Sequence, residues 1–208
     1  MPPVPIITPK LLAAIRAHPF LPRNSWHFVS AAALNALNRP DEMANVFKYA
    51  IGKGPGDRSE HELDVPAQLV IIRQMREALV KSAAICGLPR SINSLLELRK
   101  VTPPEFLDEP LAYSPTGRSN ELYNLSSSPV LARGKRFFDL VYGKISARVM
   151  GQMDSSGTED LGLTARLMYS FLLSNERILD ASQTSYVLLA GLIPQDVLLS
   201  SPRGRQRS

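Results

Sequence analysis

Arg76-Glu77-Ala78-Leu79-Val80-Lys81-Ser82-Ala83-Ala84-Ile85-Cys86-Gly87-Leu88-Pro89-Arg90-Ser91-Ile92-Asn93-Ser94-Leu95-Leu96-Glu97-Leu98 reads as a helix that stops, turns and restarts. Ile72, Met75, Leu79, Ala83 and Cys86 recur at three- and four-residue spacing and form one apolar stripe. Arg73, Arg76, Glu77 and Lys81 are expected mostly on the opposite, solvated side. Gly87 stands where a helix favours a left-handed residue just past its end, and Pro89 can open the next helix.

Outward from this unit the chain punctuates itself in the same way. Short or medium helices are predicted over Pro9–His18, Trp26–Leu37 (capped by Asn24 or Ser25) and Asp41–Ile51, with the long helix running from Pro66 to Cys86 and a partner over Pro89–Arg99. Residues 100–128 are rich in Pro, Ser, Thr and Asn and read as an irregular linker with one helical turn near Pro104–Leu107. A second long helix is expected over Pro129–Met153, then helices over Glu159–Leu173, capped by Thr158, and Tyr186–Ile193, capped by Ser182 or Thr184. No alternating strand bounded by turns stands out, so the fold class is all-α. The expected organisation is a helical unit over 1–99, the linker over 100–128, a second and incomplete helical unit over 129–197, and a disordered basic tail over 198–208.

The 208 residues, 44% hydrophobic and 21% charged, have the composition of an ordinary globular chain. No apolar run approaches the roughly 18–20 residues a spanning helix needs. The single cysteine excludes an internal disulfide. The net charge of +5 is carried by the ends: residues 1–40 hold four basic residues and no acid, and 201–208 hold three arginines and no acid. The body between them is slightly acidic, so no nucleic-acid footprint is expected. The acid-free start is compatible with a targeting peptide, but Pro2, Pro3, Pro5, Pro9, Pro19 and Pro22 suit loops and helix starts better. The expected location is cytoplasmic, with the mitochondrial or peroxisomal matrix as alternatives.

The helix–Gly-x-Pro–helix unit resembles the carboxymuconolactone decarboxylase family, which includes the alkylhydroperoxidase D-like proteins. Decarboxylase-type members carry Glu-x-Leu-Leu-x-x-Ala-x-x-x-Gly-x-Pro-x-x-x-Asn-x-Leu, and Glu77, Leu79, Val80, Ala83, Gly87, Pro89, Asn93 and Leu95 occupy those places. The likeness extends over roughly Thr8–Val197 and is strongest to a fungal branch of that family. It implies an alkylhydroperoxidase D-like helical bundle, a homo-oligomer, no cofactor, and antioxidant (peroxiredoxin-type) or small-carboxylate chemistry. A non-enzymatic helical scaffold on the same fold is the alternative. Redox-active members use Cys-x-x-Cys-x-x-x-His, and here Pro89, Ile92 and Leu96 stand in those places. A dithiol peroxidase needs one thiolate to attack peroxide and a second thiol to resolve the sulfenic acid, a pair this chain lacks.

Four residues remain as site candidates. Glu77 is read either as part of a solvated ladder with Arg73 and Lys81 or, by the resemblance, as a proton relay. Cys86 is read as a buried, inert thiol or as a lone peroxidatic one; nine residues of helix place it on the opposite face from Glu77. His61 is a solvated helix-start residue or a proton shuttle, and Val65 at i+4 denies it a zinc partner. Arg90 is a candidate anchor for a substrate carboxylate. His18 and His27 are expected to serve packing. No metal site is expected. The partners expected are a second copy of the chain and a small-molecule substrate. Family relatives continue after Ile-Pro-Gln-Asp-Val with a further helix pair, whereas here Val197 leads into Arg, Gly and Pro, the expected signature of a truncated isoform.

Overall fold

The computed structural model describes residues 4–54, 63–107 and 114–197, and all their regular secondary structure is helical. The described residues divide into two compact bodies, those up to 102 together with those from 186 on, and those between 103 and 185. The first is built on α1 (Pro9–Arg16), α2 (Trp26–Ala36), α3 (Met43–Ala50), α4 (Val65–Cys86) and α5 (Leu88–Val101).

α2 has no charged side chain, and nine of its eleven residues are buried. A helix apolar all round must be covered on every side. Its main cover is α4. His27 Nε2 lies 2.9 Å from Gln74 Oε1, and Asn35 Nδ2 donates to Ser82 Oγ at 2.8 Å. Both pairs span the same sequence separation, so the two helices run parallel in fixed register. Ala31, Ala32 and Ala78, all fully buried, let them approach closely. Phe28, Met43, Phe47, Ile72, Met75, Leu79 and Leu98 fill the core.

α4 starts one residue before Pro66. Asp64 caps it by accepting from Ala67 N at 2.9 Å. It ends at Gly87, whose φ of +83° costs a residue without a Cβ little. The same glycine precedes α5, so the stop-turn-restart reading holds. Of the predicted stripe, Ile72, Met75 and Leu79 are fully buried, while Ala83 and Cys86 are half-buried. A 3-10 turn, Pro40–Glu42, replaces the expected start of α3. It buries Glu42, whose Oε1 accepts from Ile6 N (2.5 Å) and Arg39 Nη2 (3.0 Å), while Oε2 accepts from Asn45 Nδ2 (2.8 Å).

In the second body the expected helix over Pro129–Met153 is two helices. α7 (Ser127–Tyr142) stops at Gly143 (φ +53°), and α8 (Ser146–Asp154) follows a single 3-10 turn. Likewise α9 (Asp160–Leu167) widens into a π-helical segment, Met168–Leu173. Arg118 donates to the Phe171 and Leu172 carbonyls and Arg133 to that of Ser170, so arginines serve the acceptors of this segment. Gly134 of α7 lets the segment pass: a Cβ there would lie 2.4 Å from Ser170 Cα. Within the expected irregular stretch, a 3-10 turn forms at Pro104–Phe106, and a helix not foreseen, α6, spans Arg118–Tyr123. α10 (Ala181–Leu192) begins earlier than expected because Asp180 and Gln183 cap it reciprocally, Gln183 N donating to Asp180 Oδ1 and Asp180 N to Gln183 Oε1.

Candidate functional site

The middle of α4 overturns the solvated reading of its charges. Glu77 is 3% exposed and Lys81 is fully buried. Lys81 Nζ lies 3.7 Å from Glu77 Oε1, one helical turn away. The spacing marks a surface ladder, but in this body α4 packs along the charge-free α2 and the pair is buried. Two opposite charges withdrawn from water lose solvation that their mutual attraction only partly returns, so such a pair is a costly element of a core. Arg73 and Arg76, half-buried on the same helix, are engaged as well.

Nine residues on, roughly 13 Å along the axis, Cys86 ends the helix. Its half-buried thiol lies in a different setting. Burial pushes its pKa up, against smaller opposing effects of the Arg90 charge and a hydrogen bond with Asn35. Gln195 Nε2 sits 3.7 Å from Sγ and donates to the carbonyls of Gly191 (2.7 Å) and Ile85 (3.3 Å). Gly191 packs closely there: a Cβ would fall 2.3 Å from Ile85 Cδ1, and that side chain would have to turn away. Arg90 Nη1 donates to the Ala36 carbonyl at 2.6 Å, closing the C-terminal end of α2. Beneath it Asn35, fully buried, donates to Ser82 and Ser91 Oγ and accepts from Ser94 Oγ at 2.8 Å. That knot satisfies its own groups and stitches α2, α4 and α5 together.

The four candidates therefore do not meet at one point. Glu77 pairs with Lys81 in mid-helix, Cys86 and Arg90 share the α4–α5 junction, and His61 lies outside the described residues. His27 is a packing residue as expected, 2% exposed, and burial lowers its pKa to about 4 despite the bond to Gln74. Sequence reasoning missed Lys81 as a buried partner and Asn35 as the junction's centre. The signal for both was the absence of charge along Trp26–Leu37, which demands that facing helices supply cover on all sides.

The chain is similar to peroxisomal protein 2 of Schizosaccharomyces pombe, 34% identical over 172 residues, which cover 82% of this chain and 70% of the relative. The chain belongs to the peroxisomal protein 2 family. A second member, peroxisomal protein 2 of Saccharomyces cerevisiae, is 25% identical over 230 aligned positions, 90% of this chain and 81% of the relative. No family model matches the chain. No solved structure matches it either. The carboxymuconolactone decarboxylase resemblance has no family model behind it. The relatives' names speak for the peroxisomal alternative over the cytoplasmic expectation, and neither name mentions a decarboxylase or a peroxidase. No described helix is long and apolar enough to cross a membrane.

Proposed function

We propose that this member of the peroxisomal protein 2 family works in the peroxisome as a cofactor-free, carboxymuconolactone decarboxylase-like enzyme that moves a proton on a small organic acid at Glu77 and Lys81. The burial of that pair carries the reading. In a water-excluded site an ammonium stabilises an enolate or carboxylate far better than it does in solution, and an adjacent carboxylate can take or return the proton at carbon. When a carboxylate leaves as carbon dioxide, the electron pair of the broken C–C bond passes into an adjacent carbonyl. Lys81 would hold the resulting oxyanion, and a proton delivered through Glu77 would complete the exchange. His61 is the candidate relay to solvent. Antioxidant chemistry is disfavoured, because Cys86 has a raised pKa and no second cysteine exists to resolve its sulfenic acid.

The scaffold reading keeps one observation in its favour: the pair is closed off almost completely, as a purely structural pair would be. One experiment separates the two. Solvent deuterium incorporation into a panel of small keto-acids and unsaturated lactone acids is followed by proton NMR with the wild-type chain, Glu77→Gln and Lys81→Met. The enzyme reading expects exchange above the buffer rate that falls by about 100-fold in Glu77→Gln, typical of a lost general acid–base, while circular dichroism stays helical. Exchange equal to buffer across the panel, or unchanged in Glu77→Gln, sinks it and leaves the scaffold. Compartment is tested apart: a fluorescent fusion should coincide with a peroxisomal marker, and diffuse cytosolic signal would restore the cytoplasmic expectation.

A further inference from the structure

The second body carries a feature that this reading does not use. Arg133, Arg136, Phe137 and Leu140 lie at i, i+3, i+4 and i+7 on α7 and share one face. With Glu176 and Arg177 they line a groove of about 540 Å³. The size suits a small ligand.

One of its arginines is fixed in advance. Arg133 grips Glu121 with two bonds, Nη1 to Oε1 at 2.7 Å and Nη2 to Oε2 at 2.8 Å, and donates Nε–H to Ser174 Oγ at 3.0 Å. The backbone of Arg177 is held by its neighbour Asn175, 1% exposed, which donates to the Thr116 carbonyl at 2.9 Å and accepts from Arg177 N. The Arg177 guanidinium then lies flat over Gly117. A Cβ at Gly117 would come within 2.9 Å of Arg177 Cζ and Nη1, and the φ of +65° there also favours glycine. Arg136 follows Arg133 by one turn.

Commitments differ among the three. Arg133 is spent on Glu121. Neither the Arg136 nor the Arg177 guanidinium forms a hydrogen bond or ion pair with any described residue. The groove thus presents two exposed planar cations beside Leu140 and the edge of the buried Phe137, with Glu176 on its wall and the Glu121 carboxylate, paired with Arg133, also feeling the Arg177 charge. The wider groove between α7 and α8 differs, because each cation on its rim is already paired, Lys135 with Asp139 and Arg166 with Asp154, both at 2.6 Å.

We propose that the Arg133–Arg136–Arg177 groove binds a small organic anion, its carboxylate or phosphate head held by the Arg136 and Arg177 forks and its apolar body seated on Phe137 and Leu140. Guanidinium matches both heads in two-point geometry, and two forks on one groove can share a single head. Glu176 limits the site to ligands whose charge is concentrated in one head.

The full chain is titrated with phenyl phosphate, benzoate, inorganic phosphate and phenol, followed by amide chemical shifts and calorimetry. Phenyl phosphate or benzoate should saturate with shifts centred on residues 133–140 and 174–177, inorganic phosphate should bind about tenfold more weakly for want of an apolar body, and phenol should not saturate. Tighter phenyl phosphate assigns a phosphate head and tighter benzoate a carboxylate; either supports the site. Arg136→Gln and Arg177→Gln should each weaken the anion at least about tenfold with unchanged melting, since both side chains are exposed. Arg177→Lys should recover only part of the loss, because the charge returns without the fork. Affinity indifferent to both glutamine variants, shifts centred elsewhere, or phenol binding as well as benzoate would overturn the proposal.

Discussion

Two lysine–carboxylate pairs on two helices have the same one-turn spacing and opposite fates. On α4, Glu77 and Lys81 stand 3.7 Å apart with side chains 2% and 0% exposed. On α7, Lys135 and Asp139 stand 2.6 Å apart with side chains 77% and 41% exposed. The tighter pair is the one in water, where two flexible side chains meet freely and screening makes the contact worth little. The looser pair is enclosed, where each charge has lost its hydration and the energetic stakes are high. Distance alone therefore ranks the two pairs the wrong way round. Burial separates an ornament of the surface from a feature on which the molecule depends.

The contrast is most easily broken at Lys81. Lys81→Met removes the ammonium beside the Glu77 carboxylate in the core and should cost up to about 3–5 kcal/mol in urea unfolding. The double variant Glu77→Leu/Lys81→Met should regain most of that loss, because a well-packed apolar pair replaces a buried ionic one with little penalty. A Lys81→Met midpoint within error of wild type would show that the pair is solvated after all. A second buried group sharpens the comparison by pH. His27 titrates near 4 in the folded chain and near 6.5 unfolded, so between those values only the unfolded state takes the proton. Stability is whole above pH 6.5 and falls by about 3 kcal/mol as pH drops to 4, and His27→Gln should flatten that limb. Unfolding followed across pH 4–7 checks it, and identical slopes in the two proteins would remove His27 from the account.

Smaller effects test the surroundings. Gly134→Ala forces a methyl against Ser170 and should destabilise by about 1–3 kcal/mol, as overpacking does. An unchanged melting temperature would mean that the π segment yields there. The Cys86 thiol, raised in pKa by burial, should react with a disulfide reagent well below the rate of a free peptide thiol at neutral pH, and reaction at the peptide rate would reopen its reactivity. Lys135→Ala should leave the urea midpoint where it was, and a measurable shift would mean the exposed pair matters more than its surroundings imply.

How much of this was legible is best seen residue by residue. The Gly87 break was written in the chain, because only a residue without a Cβ sits easily at positive φ and Pro89 suits the turn that follows. The breaks at Gly143 and after Leu167 were not. Phe137, Phe138, Val141, Ile145 and Val149 keep helical spacing through Gly143, and periodicity cannot register a change of direction that preserves it. The π widening depends on Arg118 and Arg133 serving its carbonyls from distant helices, which no local window contains. α6 and the early start of α10 were missed for a simpler reason: polar composition masked one, and the Asp180–Gln183 box was passed over in favour of Ser182 and Thr184.

The sequence by itself determined the all-α class, the helix–Gly–helix hinge, the want of a redox thiol pair and the packing role of His27. These follow from local rules: residue spacing, the missing Cβ of glycine, the count of cysteines, and a charge-free run that must be covered. Only the tertiary structure decided which charges are inside. Glu77-x-x-x-Lys81 and Lys135-x-x-x-Asp139 share one spacing with the charges in opposite order, and neither string states its exposure: in the folded chain the first pair is buried on α4, which packs along α2, and the second lies in water on α7. Burial belongs to neighbours brought together by folding, and the free energy of a charge is set by those neighbours rather than by its place in the chain.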